Sequence, residues 1–335
     1  MSTHDDLAVS PALNPDDAGY AAQVTALNQA VAFCRLKAFK LLRVAGEDAA
    51  AFLQGQLSND IRLLDGGNAQ YTSYSSAKGR LMASFLCWKS GSDYFLLVDS
   101  ELSEVIVKRL SMFIMRSKVK LTVDDRYRLL GFHGEAVEKA VAAQGYPLPA
   151  QDLQLISHSE TAMNIRLPGG WILSAVEAGA ADDLLQHFPA GLVAVEDEAW
   201  SLLDIAAGIP WITLSTQELF VAQMANMDLF GAISFTKGCY PGQEIIARTR
   251  YLGKTKRRMY RLQLPICASC GADLYSPGMG DQSVGTIVNV ARDGAGHYQA
   301  LAVIQSASWE TGIYLDAANT ISALNLPLPY SLLDE

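Results

Sequence analysis

The chain has 335 residues, of which 50% are hydrophobic and 18% are charged, and its formal net charge is -9 at pH 7. This composition is too apolar for a disordered chain, and the length predicts two or three packed modules rather than a single core. The negative charge argues against a generic nucleic-acid coat or an anionic membrane surface as the default partner.

The first part of the chain predicts small α+β structure. Residues 1–20, rich in Asp, Ser, Pro and Asn, predict a flexible tail. Helical spacing of apolar residues predicts a helix over 47–60, and two apolar runs predict a β-hairpin over 84–98. A helix over 100–113 and an alternating strand over 118–123 follow. This succession predicts a small α+β sandwich rather than a doubly wound sheet.

A second series of similar elements begins near Tyr127. A strand over 127–131, a helix over 135–145 and two strands within 164–174 are predicted there. The next helix, over 196–207, ends at Gly208, which together with the following proline is a typical stop signal. The two series resemble each other in their order of elements, without a repeat at the level of sequence.

The end of the chain predicts an all-β unit. From residue 256 onward, short alternating runs are broken by Gly and Pro, which is typical of a barrel or sandwich. The predicted division is therefore a tail over 1–20, a region of two α+β modules over 21–255, and a β-barrel over 256–335. An odd number of cysteines, the absence of a secretory signal and the absence of a run of about 18 apolar residues predict a cytoplasmic protein with no membrane contact.

Residues 237–244, with the sequence Lys-Gly-Cys-Tyr-Pro-Gly-Gln-Glu, form the most informative segment, which we call the cysteine loop. Pro241 suits the first turn of a helix, so Cys239 is predicted to lie just before a helix N-terminus. The exposed N–H groups of that helix, together with Lys237, are expected to favour the thiolate. The structural alternative is a turn whose cysteine is small and half-buried.

The cysteine loop also opens a basic segment, residues 237–261. This segment has eight basic residues and the single acidic residue Glu244, a local charge of +7. An anionic ligand and a solvated strand face are both compatible with this pattern. If the protein contacts nucleic acid at all, this segment is the expected place.

The cysteine loop and its flanks resemble the signature of the YgfZ family of folate-binding proteins. The resemblance extends to the segments 52–60, 78–80, 207–210 and 300–303 and covers most of the chain from about residue 25. The wider superfamily includes the aminomethyltransferase of glycine cleavage. The resemblance implies three modules around a central cavity that holds folate, with two interwoven α+β modules, one of them ferredoxin-like, and a C-terminal β-barrel.

The resemblance also implies a function. It is that of a tetrahydrofolate-binding protein that supports assembly or repair of iron–sulfur enzymes, including radical enzymes that modify tRNA. The implied partners are folate and iron–sulfur client or assembly proteins. The site residues expected on this basis are Cys239 as a reactive thiolate at the mouth of the cavity, Lys237 as the group that activates it, and Gln243, Glu244, Arg248 and Lys254 as contacts to the cofactor or its polyglutamate tail.

The alternative function is a folate-dependent aminomethyltransferase. In that enzyme the stretch matching residues 79–83 carries an acidic residue, whereas this chain has Arg80, Leu81, Met82 and Ala83 there. Neither methionine nor alanine provides general acid–base catalysis. Asp204 also occupies the position of an expected arginine. A third possibility is a plain binding module that senses folate.

The remaining chemical groups give weaker signals. Cys267 and Cys270 have the spacing of half a zinc ribbon or of a redox pair, but no second half is present. Two ordinary loop cysteines are the favoured interpretation, and neither a metal site nor a resident cluster is expected. Tyr71, Tyr74 and Trp211 have side chains that stack on a pterin ring or simply pack at a module boundary.

Overall fold

The computed structural model describes residues 15–158, 161–252 and 255–332. Within these residues, no helix combines the length and the apolar character needed to cross a membrane. The α-helices are α1 (Pro15–Asn28), α2 (Ala49–Gln54), α3 (Ser103–Ser111), α4 (Glu135–Ala143), α5 (Ala178–Gln186), α6 (Asp197–Ala207) and α7 (Gln243–Leu252).

The strands of the described residues fall into three sheets. In chain order they are β1 (Ala32–Arg35), β2 (Phe39–Ala45), β3 (Ala69–Ser75), β4 (Leu81–Ser90), β5 (Asp93–Asp99), β6 (Lys120–Val123), β7 (Tyr127–His133), β8 (Leu155–His158), β9 (Ala162–Leu167), β10 (Trp171–Glu177), β11 (Val193–Val195), β12 (Arg257–Leu264), β13 (Asp273–Leu274), β14 (Gly285–Arg292), β15 (Tyr298–Gln305), β16 (Ile313–Tyr314) and β17 (Ser322–Leu326).

Two of the sheets are interwoven along the chain. The first has the strand order β11-β1-β7-β10-β9-β8, and the second has the order β3-β4-β5-β2-β6. The chain therefore starts in the first sheet, builds the whole second sheet, and returns to the first at β7. The sheets meet in a shared core, where the indole N–H of Trp88 donates to the sulfur of Met163 at 3.2 Å. This confirms the predicted pair of interwoven α+β modules.

The third sheet closes on itself at the C-terminal end of the chain. Its order is β13-β14-β15-β12-β17-β16. Tyr275 and Tyr314 then exchange two main-chain hydrogen bonds, of 2.8 and 2.9 Å, and so join the two edges. A core of its own lies inside, with Leu262, Ile287 and Ile304 fully buried. The predicted C-terminal β-barrel is therefore confirmed.

Helix α1 overlaps the predicted tail. Residues 15–20, expected to be flexible, form its first turns, and residues 1–14 lie outside the described part of the chain. The side chains of Tyr20 and Val24 are buried, and the Tyr20 hydroxyl donates to the carbonyl of Arg292 at 2.9 Å. The polar composition hid this helix because its buried residues pack on parts of the chain that are distant in sequence, namely α6, β11 and the barrel.

Other element predictions hold with shifted ends. The predicted hairpin is β4 and β5, and its turn is tighter than expected because Ser90 pairs with Asp93 directly. The helix predicted over 47–60 is only α2, since the chain leaves the helix at Gly55. The helix predicted over 196–207 is α6, and Gly208 ends it in a left-handed conformation with φ of 66°.

Candidate functional site

A buried ammonium group joins the cysteine loop to the loop 54–60. The Nζ atom of Lys237 donates to the carbonyl oxygens of Gln54, Leu57 and Asn59 at 2.7, 2.5 and 3.0 Å. These bonds use all three N–H groups of an ammonium. The side chain is only 5% exposed, so Lys237 acts as an anchor that fixes the relative positions of the two loops.

The electrostatic surroundings of Lys237 are unusual for a lysine. Burial lowers the pKa of its ammonium group to about 8, and the nearby charge of Asp60 acts in the opposite direction. Asp60 is itself paired with Arg62, whose hydrogen bonds hold the pKa of the Asp60 carboxyl at about 2. Among the described residues, the hydrogen-bond partners of the Lys237 ammonium are all main-chain carbonyls. A catalytic role for Lys237 stays a prediction, and its contacts are those of a structural residue.

Two glycines pin the other end of the cysteine loop. Gly242 has φ of +81°, and a Cβ atom there would lie 2.7 Å from Cα of Gly79 and 2.7 Å from the carbonyl oxygen of Ser76. Gly79 has φ of +71°, and its own Cβ would lie 2.9 Å from Cβ of Ile245. Both positions therefore require glycine for conformation and for close approach. The segments 52–60, 78–80 and 237–244, separate in sequence, meet at one place.

Cys239 lies between these two anchors with an exposed, free thiol. The predicted helix exists but begins at Gln243, four residues later, because Pro241 and Gly242 form a turn before it. The expected help from Lys237 is also not observed as a contact, since its N–H groups are bound to carbonyls. The tertiary structure thus presents Cys239 on a fixed loop at the surface. Its role as the reactive thiol stays a prediction.

The predicted cofactor residues are distributed along α7. The Gln243 amide is 3.5 Å from the Lys237 carbonyl oxygen and closes the cysteine loop on itself. Glu244 and Arg248 are exposed on the helix surface. Lys254 lies outside the described residues. A contact between these side chains and folate stays a prediction.

Part of the basic segment is neutralised internally. Arg258 is buried and paired with Asp228 at 2.8 Å. The Lys237 ammonium is bound to three main-chain carbonyls. Arg250 stacks on the ring of Phe235, with its guanidinium carbon 4.1 Å from the ring centre. The local charge available to an external anion is therefore smaller than the sequence indicates. Arg248 and Lys256 remain exposed.

A concave site between the modules lies elsewhere, and we call it the central cavity. It has a volume of about 390 Å³. Its walls come from both α+β modules, from α6 and from the end of the chain. The lining residues are Tyr71, Asp152, Leu153, Pro168, Gly169, Leu203, Ala206, Ala207, Ile209, Phe230, Pro329 and Tyr330.

Three aromatic rings and two phenol hydroxyl groups lie among the mostly aliphatic lining residues of this cavity. The ring of Phe230 lies 5.7 Å from that of Tyr71 and 6.3 Å from that of Tyr330. The Tyr71 hydroxyl is buried and has no hydrogen-bond partner within the described residues, whereas the Tyr330 hydroxyl donates to the Gly208 carbonyl at 2.7 Å. Burial raises the pKa of Tyr71 well above its usual range and that of Tyr330 to about 12. Both hydroxyls therefore keep their protons at neutral pH and are hydrogen-bond donors.

None of the predicted catalytic or cofactor residues lines the central cavity. Of the three aromatic candidates, Tyr71 lines it, and Trp211 stands behind it with its ring 6.4 Å from that of Tyr71. Phe230 and Tyr330 were missed because neither belongs to a recognisable motif. Only Tyr71, from the aromatic pattern of β3, could be found from the sequence.

The acidic residue that transfer chemistry needs is not supplied by the stretch 79–83. Leu81, Met82 and Ala83 are buried in the second sheet. Asp204 is buried and accepts a hydrogen bond from the Trp211 indole at 3.0 Å, and burial raises the pKa of its carboxyl to about 7. Asp204 is not among the residues that line the central cavity; it faces a smaller cavity of about 120 Å³.

The two cysteines of the barrel, Cys267 and Cys270, are three residues apart in the sequence. Cys267 is exposed and Cys270 is half-buried, and both thiols are free. The described part of the chain contains no cluster of three or more His, Cys, Asp or Glu side chains that could hold a metal ion.

Comparisons with known proteins agree with this architecture. The family model described as the GCVT N-terminal domain matches residues 12–157. The solved aminomethyltransferase T of the glycine cleavage system from Bartonella henselae superposes with a TM-score of 0.76, covering 92% of this chain and 88% of its own. The two sequences are 15% identical, so this likeness concerns the fold.

Several curated relatives carry the name tRNA-modifying protein YgfZ. The relative from Sodalis glossinidius is 31% identical over 310 residues, covering 89% of this chain and 92% of the relative. The relative from Serratia proteamaculans is 29% identical over 314 residues, with 90% and 92% covered. The relative from Escherichia coli O127:H6 is 27% identical, with 87% and 91% covered.

Proposed function

Because this chain belongs to the YgfZ family, we propose that it binds tetrahydrofolate and supports the assembly or repair of iron–sulfur enzymes, including tRNA-modifying radical enzymes. The folate occupies the central cavity rather than the surface of α7. Cys239 provides a reactive thiol at a second, separate surface. Asn59 links the two sites, because its carbonyl accepts from Lys237 and its side-chain amide donates to the carbonyls of Tyr71 and Gly231.

The observation that supports the folate proposal most strongly is the fit between the central cavity and a pterin. A volume of about 390 Å³ lies within the range of about 300–1,000 Å³ that is common for small-molecule sites. The rings of Tyr71, Phe230 and Tyr330 offer apolar faces to a flat heterocycle. Bound tetrahydrofolate would supply a carrier of one-carbon units at this place.

The polar groups of the cavity suit the edges of such a heterocycle. The buried Tyr71 hydroxyl has no protein partner among the described residues, and a pterin carbonyl or ring nitrogen satisfies it. The carboxyl group of Asp152, at the exposed rim, provides oxygen acceptors for an amino group. These two residues therefore orient the ligand, and the aromatic rings exclude water from its faces.

The folate proposal is tested by calorimetric titration of the purified protein with tetrahydrofolate. Ala206 lines the cavity on α6, so Ala206→Leu reduces the available volume and is expected to weaken binding at least about tenfold, a change of about 1.4 kcal/mol. Ala136→Leu, at an exposed position on α4, is the matched control and retains wild-type affinity. Equal affinity in all three proteins would place the folate elsewhere.

The same preparation distinguishes the alternative functions. Incubation with tetrahydrofolate and an aminomethyl donor is expected to give no methylene product with turnover, because the stretch 79–83 has no carboxyl group to assist proton transfer. Sustained turnover would instead indicate an aminomethyltransferase. Folate binding without any effect of the protein on iron–sulfur enzymes would indicate a folate sensor.

The proposed role of Cys239 is tested in cells that lack the chromosomal copy of the gene. Cys239→Ala is expected to fold normally, because the side chain is exposed, and to lose support of iron–sulfur enzyme activity. Cys267→Ala, which removes another exposed free thiol, is the control and is expected to remain functional. A fully active Cys239→Ala protein would reject the reactive thiol.

The basic segment gives a further test with RNA, since the relatives are named for tRNA modification. Arg248 and Lys256 are exposed and are proposed to contact a phosphate backbone or a polyglutamate tail. Binding of purified tRNA is expected to weaken as salt rises and to weaken further in Arg248→Glu. Binding that is independent of salt would contradict this contact.

A further inference from the structure

The segment that follows α3 carries an apolar surface that the fold leaves uncovered. We call residues 105–120 the α3 tip. Met112, Phe113 and Met115 are 64%, 47% and 87% exposed, and Val105 is exposed one to two turns earlier on the helix. Contiguous exposed apolar side chains of this size are typical of interaction sites, whereas single ones are ordinary.

The main chain holds these side chains in a defined arrangement. Successive turns are closed by hydrogen bonds from the N–H groups of Phe113 to Leu110 at 2.9 Å and of Ser117 to Ile114 at 2.7 Å. Met115 adopts φ of +43°, a conformation that is uncommon outside glycine. The tip is therefore ordered by its backbone, and the exposed side chains are not needed for its folding.

The base of the tip is fixed to the second sheet. Ile106 and Leu110 are fully buried, and the N–H of Lys118 donates to the Asp48 carboxylate at 2.7 Å. Gly46 approaches the Lys118 carbonyl so closely that a Cβ atom there would lie 2.0 Å from its oxygen. A partner that binds the tip consequently meets a preformed surface and loses little conformational entropy on that side.

All the charged residues of the α3 tip are basic. Residues 105–120 contain five basic residues and no acidic residue, in a chain whose net charge is -9. Lys118 is paired with Glu47 at 2.7 Å. Within the described residues, Lys108, Arg109, Arg116 and Lys120 have no carboxylate partner, and the Nε atom of Arg109 is buried without any hydrogen bond.

From these features we propose that the α3 tip is a docking surface for an acidic, amphipathic segment of a protein partner. Methionine and phenylalanine anchors adapt to the apolar face of such a segment, and the surrounding cations pair with its carboxylates. An anionic bilayer is the less suitable occupant, because Glu47, Asp48 and Glu104 stand beside the tip and a flat anionic surface would meet them. A narrow segment avoids these acids.

The proposal is tested with a fluorescent synthetic helix that has leucine on one face and glutamate on the other. We expect the full-length protein to bind it, with affinity that falls as salt rises. The triple variant Met112→Ser, Phe113→Ser, Met115→Ser and the double variant Lys108→Glu, Arg116→Glu are each expected to weaken binding at least about tenfold. A helix with lysine in place of glutamate is expected not to bind.

Matched controls test whether binding requires the α3 tip or any exposed apolar or charged side chain. Leu63→Ser removes another strongly exposed apolar side chain, and Lys139→Glu reverses an exposed charge on α4; both are expected to bind like the wild type. Circular dichroism checks that the tip variants remain folded. The proposal is overturned if the acidic helix does not bind, if the variants bind it equally well, if phosphatidylglycerol vesicles bind in its place, or if the tip residues instead drive self-association in sedimentation.

Discussion

The cysteine loop is held by close contacts with the segments 54–60 and 76–79, whereas the central cavity is a hollow bounded by side chains from distant parts of the chain. In the loop, the Lys237 ammonium binds three carbonyls, and Gly242 approaches Gly79 too closely to carry a side chain. In the cavity, about 390 Å³ is open and the hydroxyl of Tyr71 has no partner among the described residues.

This difference indicates that the cysteine loop and the central cavity have separate roles. A rigid loop with an exposed thiol suits chemistry on a partner that approaches from outside, while an aromatic hollow suits a small ligand held for a longer time. If the division is correct, substitutions in the loop change stability and thiol function without changing folate affinity. Substitutions in the cavity do the reverse.

The largest effect is expected at the tightest contact of the loop. Gly242→Ala introduces a Cβ atom 2.7 Å from the Gly79 backbone at a residue with positive φ. Strain and overpacking together are expected to lower the free energy of unfolding by about 3 kcal/mol. Urea denaturation measures this, with Gly238→Ala as the control, because no atom lies within 4 Å of a Cβ at that position. Equal effects at both glycines would show that the loop is not pinned.

The next effect concerns the lysine anchor. Lys237→Met removes all three hydrogen bonds and leaves buried carbonyls without partners, so we expect a loss of about 2 kcal/mol in the free energy of unfolding. Lys139→Met, at an exposed site, is expected to change little. Folate affinity measured by calorimetry should be unaffected by Lys237→Met. A large drop in folate affinity would show that the cysteine loop and the central cavity form one functional site, and would contradict their separation.

Beside the cavity, Asp204 is expected to make stability depend on pH. Its pKa of about 7 in the folded protein exceeds the ordinary value of 3.8, so the folded state binds the extra proton and stability falls as pH rises between these values. Asp204→Asn keeps an acceptor for Trp211 and removes the titration. Relative to the wild type, this variant should gain about 2 kcal/mol between pH 5 and pH 7. A constant difference across that range, in denaturant titrations, would contradict the assignment.

The smallest effect is also the most specific. Tyr71→Phe deletes a buried hydroxyl without a partner, so the ligand-free protein should become more stable by about 1 kcal/mol. The affinity for tetrahydrofolate should fall about fivefold, since one hydrogen bond contributes about 1 kcal/mol. Tyr74→Phe, on the same strand and outside the cavity lining, should leave affinity unchanged. The diagnostic result is that Tyr71→Phe raises the stability of the ligand-free protein and lowers its affinity for tetrahydrofolate.

Several features of the fold were accessible from the sequence because they depend on local patterns. Apolar spacing predicted α3, two apolar runs predicted the hairpin, alternation predicted the barrel, and Gly208 marked the end of α6. Helix α1 was missed, since it is stabilised by contacts with distant parts of the chain, among them α6, β11 and Arg292 of the barrel, rather than marked by a strong apolar stripe. The start of α7 was displaced because Gly242 adopts a conformation set by its contact with Gly79.

The candidate site likewise has features that the sequence indicated and features that only the tertiary structure decided. Sequence alone singled out the cysteine loop and placed a thiol, a cation and two glycines within eight residues, because residue types and their spacing are local properties. Only the tertiary structure decided that Lys237 turns inward to three carbonyls and that Tyr71, Phe230 and Tyr330 face one hollow. Those arrangements depend on the packing of three sheets, and packing brings together side chains whose separation along the chain carries no pattern to read.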